Sequence, residues 1–267
     1  MSSAPTVSIV IPAKNEAANL RLVLPQLPAA YEIVLVDGHS SDGTVAVARS
    51  LRPDLVLVHQ TRKGKGNALA CGFLAASGDI IVMFDADCSA DPTEIPRFVQ
   101  ALVDGADFAK GSRFTAGGGS EDITWLRQLG NDGLNLVANL GFRTRFTDLC
   151  YGYNAFWRDL VGVLELPDVS IPAPFDGHML WGDGFEIETV INCRFAAAGA
   201  RITEVPSVEK LRVHGESNLN TFRDGFRVLR TIAAEHRRMR AGRQHSRTLQ
   251  RALLAPRTDL VQDLIAR

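Results

Sequence analysis

Short apolar runs alternate with stretches of helical periodicity over the first hundred residues of this 267-residue chain. The runs are rich in β-branched residues, as buried strands usually are, and they cover residues 7–11, 33–36, 55–58 and 80–84. Helical spacing of apolar residues predicts helices over 15–27, 44–51 and 66–76. Apolar strands separated by helices predict an α/β fold, with a mostly parallel central sheet and helices on both faces.

The pattern becomes less regular in the second half of the chain. The elements expected there are helices at 93–102 and 125–140, a strand end at 108–113, and two elements of undetermined type at 148–156 and 185–198. A last helix is predicted over 223–240, because Phe226, Leu229 and Ile232 fall on one face at helical spacing. The predicted fold therefore ends in a C-terminal helical extension.

Four polar clusters stand at the predicted carboxyl ends of strands. They cover residues 12–16, 37–44, 63–68 and 85–87. Each cluster alone is equally typical of a turn, a helix start or a solvated loop. In an open α/β sheet, however, ligands bind at the carboxyl ends of the strands, so the four clusters together favour a binding site there.

Asp85 and Asp87 stand one residue apart, directly after the fourth apolar run. Carboxylates are hard oxygen ligands. Mg²⁺ or Mn²⁺ binds a few carboxylates and completes its coordination with phosphate oxygens. The pair therefore predicts a site for a divalent cation and a diphosphate. The six histidines do not cluster as zinc ligands do.

Composition narrows the class of protein. The net charge of −1 gives no argument for a nucleic-acid partner. The four cysteines form no Cys-x-x-Cys pair, and the N-terminus does not resemble an export signal, so we expect a cytoplasmic protein with reduced thiols. No apolar stretch is long enough for a spanning helix. Six arginines and no acid between residues 237 and 251 are compatible with peripheral contact to the inner face of a membrane.

The order of the motifs resembles glycosyltransferase family 2, whose members have the GT-A fold, a Rossmann-like arrangement. Within that family the chain looks most like the dolichol- or polyprenyl-phosphate sugar synthases. The resemblance covers about residues 5 to 235. The matching segments are Val7–Glu16, Val34–Thr44, Lys63–Ala68, Phe84–Asp87, Gly111–Arg113, Thr147–Phe156, Gly184–Glu188 and Arg212–Asn220.

The resemblance implies a role for individual residues. The residues implied in binding the nucleotide sugar, a UDP- or GDP-sugar, are Pro12, Ala13, Asn15, Glu16, Asp37, Lys65, Asp85, Arg212 and Ser217. The implied metal ligands are Asp85 and Asp87, and the implied catalytic residues are Asp87, Glu186, Asp183 and Arg113. The family further implies a metal-dependent transfer with inversion at the sugar carbon. The implied domain spans 1–220, with a nucleotide-sugar half to about 115 and an acceptor half to 220, followed by a helix and basic tail over 221–267.

Departures from the family pattern leave the acceptor open. Asn218 stands where the lipid-phosphate enzymes usually have lysine, and Cys150-Tyr151-Gly152 replaces the usual Ser-Gly pair. A polyprenyl phosphate is the favoured acceptor, and it needs no general base because it is already ionised. The alternative is a hydroxyl of a small soluble molecule, which needs a base such as Glu186 or Asp183. A catalytically silent nucleotide-sugar binding protein is a third reading. The helix at 125–140 could pack on a membrane or on a second copy in a homodimer.

Overall fold

The computed structural model describes residues 4–215 and 221–242. Its strands are β1 Val7–Ala13, β2 Glu32–Asp37, β3 Val56–His59, β4 Ile80–Met83, β5 Phe108–Ser112, β6 Gly119–Ser120, β7 Asn154–Trp157, β8 Ile202–Pro206 and β9 Val208–Glu209. Its α-helices are α1 Ala17–Val23, α2 Thr44–Leu51, α3 Lys65–Ala75, α4 Ile95–Val103, α5 Trp125–Phe142, α6 Ile187–Ala198 and α7 Thr221–Ala241. Short 3₁₀ helices cover Leu24–Gln26, Pro92–Glu94 and Arg158–Leu164.

Seven strands form the central sheet, in the order β3-β2-β1-β4-β7-β5-β8. All are parallel except β7, which pairs antiparallel with both β4 and β5. The predicted α/β fold with a mostly parallel sheet is thus confirmed. The strand order reverses beside β1, which pairs with β2 on one side and β4 on the other. Such a reversal opens a crevice at the carboxyl ends of these strands, where ligands bind in this class of sheet.

The main core lies on both faces of the sheet, where the residues of β1, β2 and β4 are almost wholly buried. A second, smaller core joins α5, α6 and α7, through side chains such as Phe142, Cys193 and Ile232. Arg194 on α6 and Glu235 on α7 form a buried ion pair of 2.9 Å that fixes these two helices together. The expected division of the chain at residue 220 stays a prediction.

The helix expected over 15–27 is shorter than predicted. Asn15 has a left-handed backbone, with φ of 59°, so the α-helix begins only at Ala17. It gives way to a 3₁₀ turn where Pro25 removes a backbone donor. Among the described residues, none of the helices combines the length and the apolar character that a bilayer span requires.

Candidate functional site

Two loops at the carboxyl ends of β1 and β2 are joined by side-chain hydrogen bonds. The amide of Asn15 donates to Ser40 Oγ at 2.9 Å, and Ser41 returns a bond of the same length to Asn15 Oδ1. Asp42 accepts from the amides of Ala17 and Thr44, both at 3.0 Å. Asn15, predicted to bind the nucleotide sugar, therefore shapes one wall of the crevice in this structure.

Pro12 and Ala13 form the last residues of β1, so they lie on the floor of the crevice. Asp37 ends β2 and is buried. Its carboxylate accepts from the amide of Ser40 at 3.2 Å and lies 3.3 Å from His59 Nδ1. The His39 ring stacks on the His59 ring, with centroids 6.1 Å apart. Two histidines thus accompany the predicted nucleoside-binding aspartate.

Sequence reasoning had not placed these histidines in the site. The signal that could have found them is strand register, since Asp37 and His59 are direct partners in neighbouring parallel strands. Residues paired at the carboxyl ends of adjacent strands share an edge of the sheet, whatever their distance along the chain.

Asp85, just beyond β4, is paired with a lysine. Lys65 Nζ lies 2.8 Å from Asp85 Oδ1 and 2.9 Å from Oδ2. The same ammonium group lies 2.6 Å from Glu188 Oε1. Burial alone would lower the pKa of Lys65, but the negative charges of Asp85 and Glu188 outweigh that effect and raise it. Lys65 is therefore a permanently charged link between two acids.

Asp87 is buried beside a serine and an arginine. Its Oδ1 accepts from the amide and hydroxyl of Ser89, at 3.1 and 2.7 Å. Its Oδ2 lies 3.2 Å from Arg212 Nη2. Both predicted metal ligands are thus ion-paired in this structure, and each partner is a cation of the kind that binds phosphate.

A cavity of about 150 Å³ lies next to Asp87 and is lined also by Glu16, Asn19, Arg212 and His214. Burial raises the pKa of Glu16 above its usual value, and the charge of Asp87 adds to the rise against a hydrogen bond from Asn19. Asn19 Nδ2 donates to Glu16 at 2.6 Å and to the carbonyl of His214 at 3.2 Å. The cavity combines acids with an arginine, as a site for a cation and a phosphate would.

The donor set fits a hard divalent cation. Asp85 and Asp87 offer carboxylate oxygens one residue apart, and the side chain of Asp85 is about one-third exposed. Within residues 4–215 and 221–242, no three acidic, histidine or cysteine side chains form a complete ligand set. Mg²⁺ is usually bound by one or two carboxylates, with water and substrate phosphates at its other positions. Two carboxylates beside phosphate-binding cations meet that pattern.

Asp183, predicted as a catalytic residue, is held in a buried ion pair. Arg62 binds both of its carboxylate oxygens, at 2.7 and 2.9 Å. The Asp183 carbonyl accepts from the amides of Gly66 and Asn67 at the start of α3. The geometry thus ties this side chain into the support of the loop that carries Lys65, and its catalytic role stays a prediction.

Glu186, the other predicted base, closes a turn before α6. Its Oε1 accepts from the amides of Gly182 and Gly184, at 3.0 and 3.1 Å. Glu188, which was not among the predicted site residues, is the acid of this segment that contacts Asp85 through Lys65. Glu188 lies in the first turn of α6, two residues beyond the N-cap Glu186, so the two side chains leave the helix about 200° apart around its axis.

Arg113, at the end of β5, is bound by two acids. It lies 2.7 Å from Asp148 and 2.9 Å from Glu209, and its guanidinium stacks over Tyr151 at 5.0 Å. Burial alone would lower the pKa of Arg113, but its bonds to Asp148 and Glu209 raise it. The structure therefore shows Arg113 linking three segments rather than free in the crevice. Ser217, also predicted to bind the donor, lies outside the described residues, as does Asn218.

Comparison with known proteins gives the same family. The family model described as Glycosyl transferase family 2 matches residues 8–163. The dolichol-phosphate mannosyltransferase of Pyrococcus furiosus is 32% identical over 225 residues, which are 80% of this chain and 59% of that protein. The polyprenol monophosphomannose synthase of Mycolicibacterium smegmatis is 30% identical over 79% of this chain and 80% of its own length. The chain thus spans less than two thirds of the Pyrococcus protein.

A solved structure shares the fold. Glucosyl-3-phosphoglycerate synthase from Mycobacterium tuberculosis, crystallised with Mn²⁺, UDP and glucosyl-3-phosphoglycerate, matches with a TM-score of 0.63 and 23% identity. The match covers 86% of this chain and 80% of that chain. At this identity the likeness concerns the arrangement of strands and helices alone.

Proposed function

The chain belongs to Glycosyl transferase family 2, and we propose that it transfers a sugar from a nucleotide diphosphate sugar to a polyprenyl phosphate, with inversion. Family membership confirms the resemblance found in the sequence and the enzyme class, a glycosyltransferase. The observation that carries the finer proposal is the pairing of Asp85 with Lys65 and of Asp87 with Arg212. A site with two acids and two cations side by side suits a metal-bound diphosphate.

The chemistry asks the protein to stabilise a departing diphosphate. Asp85 and Asp87 would hold Mg²⁺ or Mn²⁺, which supplies positive charge to the leaving group. Lys65 and Arg212 lie within ion-pair distance of those acids, so they can reach the same phosphate oxygens. Removal of one such contact costs about 3 kcal/mol, or at least a hundredfold in rate. Asp37 with His59 would bind the base of the donor.

The ion pair between Asp183 and Arg62 favours a phosphate acceptor. Arg62 binds both oxygens of Asp183, whereas backbone amides bind only Oε1 of Glu186. A hydroxyl acceptor needs a carboxylate that can take a proton. A phosphate monoester is already ionised at neutral pH and needs only positioning. Glu188 lies beside Asp85 but is itself ion-paired with Lys65. If the acceptor is a hydroxyl, Glu186 or Asp183 remains the proposed base.

An exposed apolar stripe on α5 supports a lipid-borne acceptor. Trp125, Leu129, Leu136 and Leu140 recur at helical spacing, and all are more than half exposed. A helix with an exposed apolar face of this kind can bind at a membrane surface. The curated relatives include an undecaprenyl-phosphate mannosyltransferase of Micrococcus luteus, 31% identical over 80% of this chain. We therefore propose that α5 contacts the bilayer that carries the polyprenyl phosphate.

The neighbouring helix α7 has an exposed face that carries both apolar and basic residues. Phe226 and Leu229 are exposed, and Arg230, Arg237 and Arg240 recur on the same side of the helix. Basic residues near an anionic membrane each add about 1 kcal/mol to binding. The basic segment beyond residue 242 lies outside the described residues.

A product assay tests the proposal. The protein is incubated with Mn²⁺ or Mg²⁺, a panel of UDP- and GDP-sugars, and either polyprenyl phosphate or a cell extract of small hydroxyl compounds. Mass spectrometry should detect a glycosylated polyprenyl phosphate, formed only with metal. Asp87→Asn should lower turnover at least about a hundredfold while the circular dichroism spectrum is unchanged. Conjugates only in the extract would favour the hydroxyl acceptor, and full turnover by Asp87→Asn would contradict the metal role.

A further inference from the structure

The ammonium group of Lys65 is shared by two carboxylates from distant parts of the chain. Lys65 opens α3, Asp85 follows β4, and Glu188 lies in the first turn of α6. Both oxygens of Asp85 lie within 2.9 Å of Nζ, and Glu188 Oε1 lies at 2.6 Å. One cation therefore neutralises half of the charge of two acids, and the group of three carries a net charge of about −1 at neutral pH.

Gly152 shows how close the two carboxylates are. A Cβ atom built on Gly152 would lie 2.5 Å from Glu188 Oε1 and 3.5 Å from Asp85 Oδ2. Both acids thus border the same small space, which the absence of a side chain at 152 keeps open. Lys65 can shift its bonds from one carboxylate to the other with a movement of its terminal carbons alone, because both are already in contact with Nζ.

We propose that Lys65 is the resident counter-ion of Asp85. In this structure it binds the carboxylate that a divalent cation would need, and it would withdraw onto Glu188 when cation and diphosphate enter together. The inference rests on the proposed function, since it takes Asp85 as a metal ligand. Two cations cannot share the two oxygens of Asp85 at contact distance without strong repulsion. Entry of the metal and departure of Lys65 from Asp85 are therefore one coupled event.

Glu188 is a positioning residue for Lys65. It retains Lys65 beside the site after the exchange, where the ammonium can bind the diphosphate. The coupling has a direction: Lys65 opposes binding of the metal alone and favours binding of the metal with the diphosphate. Coupling between two ligands of one site is reciprocal and usually amounts to a 5- to 150-fold change in affinity.

The test measures Mn²⁺ affinity by electron paramagnetic resonance of the free ion, which needs no turnover. Without nucleotide, Lys65→Met should bind Mn²⁺ about tenfold more tightly than the wild type. With saturating UDP or GDP, the wild type should gain more affinity than Lys65→Met does. Lys63→Met is the matched control, because it removes the same charge from an exposed position two residues away, and its Mn²⁺ affinity should equal that of the wild type. General damage to the protein can only weaken binding, so tighter binding by Lys65→Met would be specific to the lost ammonium group. Binding equal to or weaker than that of the wild type would overturn the proposal.

Two further variants keep the outcomes distinct. Glu188→Gln should bind Mn²⁺ about tenfold more weakly than the wild type, because Lys65 then has Asp85 as its one partner. An unchanged affinity would overturn the proposal even if Lys65→Met failed to fold. Asp85→Asn tests the metal site itself. If this variant does not bind Mn²⁺ and Lys65→Met binds it as the wild type does, Asp85 is a metal ligand but Lys65 is not its counter-ion. If the wild type binds no Mn²⁺ with either nucleotide, both proposals fail.

Discussion

Arg62 and Asp183 form a two-point ion pair in the interior, with Nε 2.7 Å from Oδ2 and Nη2 2.9 Å from Oδ1. The remaining Arg62 donor binds the carbonyls of Asp168 and Ile171, both at 2.8 Å. One arginine thus ties the middle of the segment between β7 and α6 to the part just before α6. Because the Asp183 carbonyl also accepts from the amide of Gly66, at 2.8 Å, the pair sets the position of Lys65 as well.

Breaking this ion pair should lower the free energy of unfolding. Asp183→Asn leaves the buried charge of Arg62 without its partner, and loss of one member of a buried pair usually costs about 3–5 kcal/mol. Urea unfolding should show that loss for Asp183→Asn and for Arg62→Met alike. The double variant Arg62→Met/Asp183→Leu should recover part of it, because no unpaired charge remains. An Asp183→Asn protein of normal stability but without turnover would instead point to a direct catalytic role.

The fold and the two metal-binding candidates could be predicted because their signals are local. Asp85 and Asp87 follow an apolar strand directly, and strand ends mark ligand sites in this class of sheet. The antiparallel β7 was not foreseen, since a four-residue strand between β4 and β5 has no periodicity to reveal its direction.

The partners of the site residues could not be predicted for a related reason. Arg62 and Asp183 are 121 residues apart, and Lys65 and Glu188 are 123 apart. The cation with which each carboxylate pairs depends on such distant contacts. The sequence therefore favoured Asp183 and Glu186 over Glu188, whereas the structure places Glu188 beside Asp85.

The loop that carries Arg212 should loosen in acid. Burial alone would raise the pKa of Asp91, but hydrogen bonds from Lys210 and Thr93 lower it to about 2. A folded-state pKa below the unfolded value of about 3.9 contributes stability above pH 4, and that contribution is lost as the pH falls toward 2. Wild type and Asp91→Asn should therefore differ in unfolding free energy near pH 6 and converge near pH 2. A difference that is constant with pH would contradict the role of the ion pair.

Gly152→Ala should disturb the Lys65–Glu188 contact without unfolding the protein. The added methyl group would lie 2.5 Å from Glu188 Oε1, and the far end of that flexible side chain can move away. We expect a loss of turnover of about tenfold or more, at a stability cost below about 1.5 kcal/mol. Gly162→Ala is the control, because a Cβ there meets no atom within 4 Å. Equal turnover for both variants would show that the position of Glu188 does not matter.

If α5 contacts the membrane, loss of an exposed leucine on α5 should weaken membrane binding, and loss of an equally exposed leucine on another helix should not. Leu140 on α5 and Leu74 on α3 are exposed to 76% and 74%, so they form a matched pair. Leu140→Gln should weaken sedimentation with vesicles that contain anionic lipid, because one buried leucine side chain contributes about 2 kcal/mol to partition into an apolar phase. Leu74→Gln should sediment as the wild type does. Equal losses of vesicle binding for the two variants would indicate membrane contact that does not involve α5. If Leu140→Gln sediments with vesicles as the wild type does but differs from it in how its molecular mass depends on concentration, the stripe binds a second copy of the chain.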